Sequence, residues 1–514
     1  MRLIIFLFLI TSSCFAQQKP NIIYIMSDDH DADAISAYNK KLISTPNVDR
    51  LAREGMMFKK AFVGNSICGP ARATLLTGQH SHKNGMKDNR TRFDSSKTTL
   101  PKLISPAGYQ TAIIGKWHLV SYPTGFDYWK ILPGQGLYYN PRMINMKGDT
   151  TVINGYATDV ITDEALNWLD NRDKQKPFLL LLHHKAPHRN FVPKLKWLEV
   201  FSKKNFPEPT TLFADMKQHG QAWQRQRMSI LHDMTLGSDL KIDPFYLSQL
   251  KGFKLDSGDI RGYNAIMNRI PETERKKIKE IYAERGKQLL TIWGNDSLVL
   301  KAKYQWYMQD FIACVASVDE NVGRILDYLD KNNLSNNTAV IYTADQGFYL
   351  GENGWFDKRW MYDVSMQSPL LVRWPEKIKP GSITTSMAQN IDFAPTMLDI
   401  AGVTPPDWMH GISLKPLLTG KQKSLLRKNL YYHYYEYPID HYVVPHLGIR
   451  GERYKLIYFY TVNEWELYDL KTDPQEQKNL IKSPAHQKTL SQMKGELLKL
   501  RNQYDDHEQA GELH

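Results

Sequence analysis

Three carboxylates and an amide stand out first. Asp28 and Asp29 are adjacent, Asp345 is followed by Gln346, and both pairs come directly after apolar runs. Oxygen donors of this kind suit a hard divalent cation, Ca2+ or Mg2+, rather than zinc. Basic and imidazole side chains recur in similar settings. Lys116 and His118 flank Trp117, His188 ends the run His183-His184-Lys185-Ala186-Pro187-His188, and Lys358 and Arg359 follow Asp357. Cys68-Gly69-Pro70-Ala71-Arg72 adds a cysteine, a proline and an arginine in five residues, with Thr77-Gly78 shortly after. Singly, each has a plain structural reading: a solvated acid pair, a snorkelling lysine, a histidine bonded into the core, a cation over an aromatic ring. Their joint placement is what decides.

That placement comes from the elements around them. Residues 21–26, 111–115, 178–182 and 339–343 are continuously apolar, as strands covered on both faces are. Helical patterns lie between them, at 160–169 and at 316–329, where Val318, Val322, Ile325 and Leu329 form a stripe. The alternation predicts an α/β fold, a large mostly parallel central sheet flanked by helices. Each of the four strands runs into a polar cluster: Asp28-Asp29, Lys116-Trp117-His118, His183 to His188, and Asp345-Gln346. Ligand sites of such sheets lie beyond the carboxyl ends of the strands, so four separated clusters converge on one site. Residues 194–293 are polar and helical, an insertion near the mouth of that site. After Pro405-Pro406 the texture changes, and tyrosine-rich runs predict a smaller C-terminal α+β subdomain, residues 406–514, with an antiparallel sheet. The catalytic domain is then 17–405.

Residues 1–16 have the form of a secretory signal, with Arg2, an apolar run and a small-x-small site at Cys14-Phe15-Ala16. Thr11 stands where a lipoprotein signal carries a large aliphatic residue, which argues against lipidation at Cys14. No later stretch is apolar and long enough for a transmembrane helix. The expected location is periplasmic or secreted. Of the three cysteines, Cys14 leaves with the signal and Cys314 lies in an apolar segment, so no disulfide framework is available. The net charge of +12 favours polyanionic partners. Basic runs interleaved with aromatics are missing, which speaks against nucleic acid. A sulfated polysaccharide is a polyanion too, although charge alone does not separate it from a merely soluble basic protein.

Taken in order, residues 21–29, Cys-x-Pro-x-Arg, Gly115-Lys116-Trp117-His118-Leu119, Lys185-Ala186-Pro187-His188 and Ala344-Asp345-Gln346-Gly347 resemble the signature of the type I sulfatases, formylglycine-dependent members of the alkaline phosphatase superfamily. The resemblance spans nearly the whole chain. It implies that Cys68 is oxidised by a formylglycine-generating enzyme to an aldehyde. It implies that Asp28, Asp29, Asp345 and Gln346, with residue 68, hold calcium, magnesium being the alternative. It also implies that a hydroxyl of the hydrated aldehyde attacks sulfur, that Arg72 holds residue 68, and that Lys116 and Lys358 neutralise sulfate oxygens. His188 would protonate the departing sugar oxygen and His118 would take the proton that lets sulfate leave. Ala71 and Gln346 depart from the commoner serine and from asparagine or histidine at these positions.

The runs 345–359 and 433–438 resemble bacterial carbohydrate sulfatases of the N-acetylglucosamine-6-sulfatase-like kind, with ulvan-active sequences related. That implies a sulfated glycan substrate, with Arg359, Tyr435, Glu436, His441 and His446 as sugar contacts. The aromatic cluster is equally readable as the core of the C-terminal subdomain. Two other functions stay open at this stage. One is a phosphonate or phosphodiester hydrolase of the same superfamily, the other a glycan-binding protein with an unconverted Cys68.

Overall fold

A computed structural model describes residues 19–214, 219–511 and 513. The signal expected at residues 1–16, with Cys14, lies outside the described residues. Among the described residues ten strands form the main sheet. They are β1 (Asn21–Ser27), β2 (Met56–Phe58), β3 (Gln110–Lys116), β4 (Tyr128–Leu132), β5 (Arg142–Asn145), β6 (Thr150–Val152), β7 (Phe178–His183), β8 (Thr338–Ala344), β9 (Leu370–Arg373) and β10 (Ser382–Thr384). Across the sheet the order is β10-β2-β9-β8-β1-β7-β3-β4-β5-β6. The middle strands β8, β1, β7, β3 and β4 run parallel, and pairing turns antiparallel at β9 on one side and β5 on the other. The sheet is therefore mixed, with a parallel centre.

The apolar runs are explained by burial on both faces. Ile23, Ile25, Leu180, Leu182 and Val340 enter one core; Ile22, Tyr24, Leu179, Leu181 and Ile341 enter the other. Helices α1 (Cys68–Thr77), α2 (Ala157–Asn171), α3 (Ser257–Met267), α4 (Glu272–Ile292) and α5 (Asp296–Lys331) follow in sequence. The Asn295 side chain accepts the Leu298 N–H and caps α5. Only the second half of α5 shows an apolar stripe in sequence. From Trp306 to Asp319 every residue is buried, so no solvent face marks the helical period there.

The C-terminal sheet is antiparallel: β11 (Asn429–Tyr434), β12 (His446–Gly451), β13 (Tyr454–Phe459) and β14 (Glu464–Asp469). Helix α6 (Gln487–Tyr504) packs through Met493 and Leu497 against one face. The other face carries Tyr432, Tyr434, Ile457 and Phe459 into a cluster with Trp355, Trp360 and Met361. That aromatic seam holds the segment in which Lys358 lies. Among the described residues no helix is long and apolar enough to cross a membrane.

Candidate active site

Parallel pairing of β1 with β8 sets Ser27 opposite Ala344, so Asp28-Asp29 and Asp345-Gln346 leave the sheet side by side. Asp29 turns away with φ 64°, and its N–H donates to Asp345 Oδ1 at 3.0 Å. Two strands over from β1, Lys116 ends β3 beside the end of β7. Gly115 makes that possible. Its φ is 103°, and a Cβ there would fall 2.0 Å from the His183 carbonyl oxygen.

Cys68 is the first residue of α1, and Arg72 follows one turn later on the same face. The free N–H of Gly69 is met by Asn89 Oδ1 at 2.9 Å. Thr77-Gly78 ends the helix, with Gly78 left-handed and its N–H bonded to Thr74 O. Cys68 Sγ lies 3.3 Å from Asp28 Oδ1. Arg72 donates to Asp345 Oδ2 at 2.9 Å and to the Lys116 carbonyl at 2.8 Å. It thus ties α1, β3 and β8 together beneath the cysteine.

Two lysines complete the floor. Lys116 Nζ donates to Asp28 Oδ2 and to Gln135 Oε1. Lys358 Nζ reaches both oxygens of Asp29, at 2.7 and 2.6 Å. Its neighbours Asp357 and Arg359 take φ values of 78° and 95°, strained for residues with a Cβ, and so re-aim the chain at Lys358.

The electrostatics follow from burial. Burial opposes ionisation of Asp28, but the charges of Lys116 and Arg72 outweigh it and hold the carboxyl well below its usual range. Burial pushes Asp29 up to about 6, although Lys358 opposes it. Burial and the Asp28 charge push Asp345 up to about 7. Burial, with Asp28 beside it, also holds the Cys68 thiol well above its usual value, so residue 68 as cysteine is a poor thiolate. The oxygens of Asp28, Asp29 and Asp345 lie within 4.8 Å of one another in full burial. Gln346 Nε2 bonds Asp29 and Asp345, while its buried Oε1 has no hydrogen-bond partner. Crowded hard oxygens and a spare amide carbonyl are the donor set a divalent cation such as Ca2+ takes, and the residues fit that group.

Above this floor opens a cavity of about 660 Å³, lined among others by Asn89, Gln135, Tyr138, Lys185, His188, Arg189, Lys358, Arg359 and His441. Helix α3, inside the 194–293 segment, contributes Gly262, Ala265 and Ile266 to its wall. A larger cleft of about 880 Å³ at Lys19, Trp374 and Thr419 contains none of the clustered groups. His188 commits Nδ1–H to the Arg189 carbonyl, which leaves Nε2 3.8 Å from Asp29 Oδ2. His118 has positive φ and a buried Nδ1 with no hydrogen-bond partner. Burial, reinforced by Lys116, holds both imidazoles well below their usual range.

The sugar contacts expected from sequence divide. Arg359 and His441 line the cavity, joined through Asp357: Arg359 pairs with Asp357 Oδ1, and His441 Nε2 lies 3.1 Å from Asp357 Oδ2. Glu436 stands behind the lining, accepting the Asn89 N–H at 3.0 Å and lying 3.8 Å from Arg359 Nε. Tyr435 lies elsewhere, stacked on His433 at 3.7 Å with its hydroxyl 3.3 Å from Asp506 Oδ2. His446 needs correction. It is fully buried in the aromatic seam, with Nε2 accepting the Met361 N–H and Nδ1 donating to the Val444 carbonyl. Neither nitrogen is left for a sugar. Sequence reasoning also missed Asn89, Gln135 and the pair Arg189–Asp239, whose guanidinium also reaches His441 Nε2 at 3.0 Å. These side chains sit on loops with no periodicity or motif to single them out.

The sulfatase family profile matches residues 20–403, and the profile for the N-sulphoglucosamine sulphohydrolase C-terminal region matches 351–503. The chain belongs to the sulfatase family of the alkaline phosphatase superfamily and is a sulfuric ester hydrolase. It is 45% identical over 508 residues to an N-acetylglucosamine-6-O-sulfatase of Bacteroides thetaiotaomicron, covering 97% of this chain and 90% of that one. A solved sulfatase in complex with its substrate D-glucosamine-2-N,6-O-disulfate superposes with a TM-score of 0.91 at 45% identity, over 96% of this chain and 100% of that one. A phosphonate monoester hydrolase of Agrobacterium radiobacter, 21% identical with a TM-score of 0.69 over 95% and 96% of the two chains, shares the fold alone.

Proposed function

We propose that this sulfatase removes the 6-sulfate from glucosamine units of glycosaminoglycan fragments, outside the cytoplasm. The observation that carries the substrate is the 45% identity, over nearly the full length, to an N-acetylglucosamine-6-O-sulfatase. A cavity the size of a small sugar above the reactive cluster supports it. Residues 1–16 would direct export, and a formylglycine-generating enzyme would be the chain's maturation partner.

Asp28, Asp29, Asp345 and Gln346 would hold a divalent cation, calcium in this reading, which when bound neutralises the carboxylates and polarises adjacent oxygens. Converted to formylglycine, residue 68 would supply a hydroxyl of its aldehyde hydrate as nucleophile. Arg72 fixes residue 68 through the frame of α1, β3 and β8. Lys116 and Lys358 offer their ammonium groups to the sulfate oxygens, where charge shifts in the transition state. His188 presents Nε2 to the cavity and delivers the proton to the departing sugar oxygen. The negative charge of the sulfate ester raises its proton affinity, so the protonated form belongs to the complex. His118, neutral in its buried setting, accepts the proton that lets sulfate depart. Arg359, fixed through Asp357, faces the sugar hydroxyls, and His441, with Nδ1 on the Arg227 carbonyl and Nε2 on Asp357 and Arg189, packs that wall of the cavity.

Protein co-expressed with a maturation enzyme, its aldehyde verified by intact mass, should release sulfate from N-acetylglucosamine 6-sulfate. Turnover of an aryl sulfate with neither that sugar nor glucosamine-2-N,6-O-disulfate cleaved would overturn the substrate.

A further inference from the structure

We propose that Lys185 is a substrate-binding residue that grips an anionic substituent of the sugar, a third amine beside Lys116 and Lys358. The inference rests on the glycan sulfatase reading and names a group that reading does not use. Lys185 lies two residues past the end of β7, is only 4% exposed and faces the cavity. Its Nζ stands 4.7 Å from the Tyr138 ring centroid. The Tyr138 hydroxyl donates to the His188 carbonyl at 2.6 Å, and the His188 N–H donates to the Lys185 carbonyl at 3.1 Å. Ring, lysine and histidine therefore form one fixed frame, and the proton donor and the amine are presented together.

The contrast with the other two lysines carries the argument. Lys116 is bonded to Asp28 and Lys358 to Asp29. No carboxylate among the described residues pairs with Lys185. An ammonium out of bulk water with an aromatic face on one side lacks the anion that buried charges ordinarily keep. Burial, with Lys116 nearby, pushes this amine down to about 8, which leaves it mostly charged at neutral pH. A sulfate or carboxylate on the substrate supplies the missing partner. That anion is either the scissile sulfate or a second anionic substituent, and the two sources are separable.

The test uses the matured enzyme and the variants Lys185→Gln and Lys185→Arg, with N-acetylglucosamine 6-sulfate, glucosamine-2-N,6-O-disulfate and an aryl sulfate as substrates and inorganic sulfate as inhibitor. Losing a charge-assisted contact should lower kcat/KM by about tenfold or more, mainly through KM, and Lys185→Arg should recover part of it. An equal loss on all three substrates, with weaker inhibition by sulfate, assigns the scissile group. A loss confined to the disulfated sugar assigns the second substituent. Changes within twofold everywhere overturn the proposal. So does a fall in kcat at constant KM that arginine does not recover, which marks a structural lysine. If the wild type turns over only the aryl sulfate, the glycan reading fails, while the aryl-sulfate and inhibition arms still judge Lys185.

Discussion

Two regions of this molecule bury clusters of opposite charge, and they are finished differently. Between α4 and α5, Arg285 grips both oxygens of Asp310 at 2.8 and 2.7 Å, and Lys241 Nζ reaches the same carboxylate at 2.6 Å and the Phe191 carbonyl at 2.5 Å. Each charged group there is bonded within the protein. At the ends of β1, β3 and β8 the cluster is just as deeply buried, yet Gln346 Oε1, His118 Nδ1 and Arg72 Nε lack hydrogen-bond partners. A closed network holds elements together. An open one stores the same electrostatic potential for a ligand.

Residue 68 should show the largest effect of the open cluster on activity. Cys68→Ala should lower sulfate release by roughly 10⁴-fold or more, since loss of a nucleophile removes the reaction path itself. Thermal unfolding should barely move, because alanine keeps the α1 backbone and leaves the Arg72 bonds to Asp345 and the Lys116 carbonyl in place. Full activity in that variant would sink the mechanism. Chelation comes next. Removing the divalent cation should abolish most activity and also lower Tm, because a ligand at a hundredfold excess over its Kd contributes about 2.7 kcal/mol. Calcium should restore both, and an unchanged Tm with full activity in chelator would remove the cation from the reading.

The closed network should respond the opposite way. Asp310→Asn leaves Arg285 and Lys241 buried without their anion, at a cost of about 3–5 kcal/mol. Denaturant unfolding should show that loss, while kcat per folded molecule stays at the wild-type value. A drop in kcat with unchanged stability would mean that the two clusters are not functionally separate.

How much of this was legible in the sequence depends on whether a residue's role was local. Asp28, Asp29, Asp345 and Lys116 could be placed because each directly follows a buried strand, and strand ends of a parallel sheet share one side. Cys68 and Arg72 were assigned through the resemblance of Cys-x-Pro-x-Arg to a family signature, and the fold adds that one helical turn separates them. Arg359 and His441 lie 82 positions apart in numbering and meet only through Asp357, a contact no local pattern encodes. His446 was misplaced because a histidine in an aromatic strand reads alike whether it faces a ligand or the core. Its two backbone partners, which settle the matter, come from the fold. Lys185 was visible inside a motif, but that no carboxylate among the described residues pairs with it is a property of three dimensions alone.

A third cluster lies between the two kinds, and its response should be the smallest. Asp506, just past α6, accepts from His433 Nδ1 at 2.7 Å and the Tyr431 hydroxyl at 2.7 Å, with His82 Nδ1 at 3.3 Å. This latch fastens the chain end to the catalytic domain, with His80 and His410 packed beside it. Burial lowers His80, His82 and His433, and brings His410 down to about 4. Asp506 is also held below its usual range, against burial, by the His433 bond. The signs agree. Imidazoles with depressed folded values stabilise fully above the unfolded value of about 6.5 and lose that contribution as pH falls through the folded values. A depressed carboxylate likewise stabilises at higher pH and is lost only in stronger acid. The latch should therefore loosen as pH drops from about 6.5 toward 4, by on the order of 1 kcal/mol for each histidine that gains a proton on release. Hydrogen exchange at pH 7 and pH 5 should show residues 501–511 losing protection ahead of the main sheet. A His82→Gln/His433→Gln variant should reduce that difference while His80 and His410 keep part of it, and an unaltered pH dependence would place the latch among the closed networks instead.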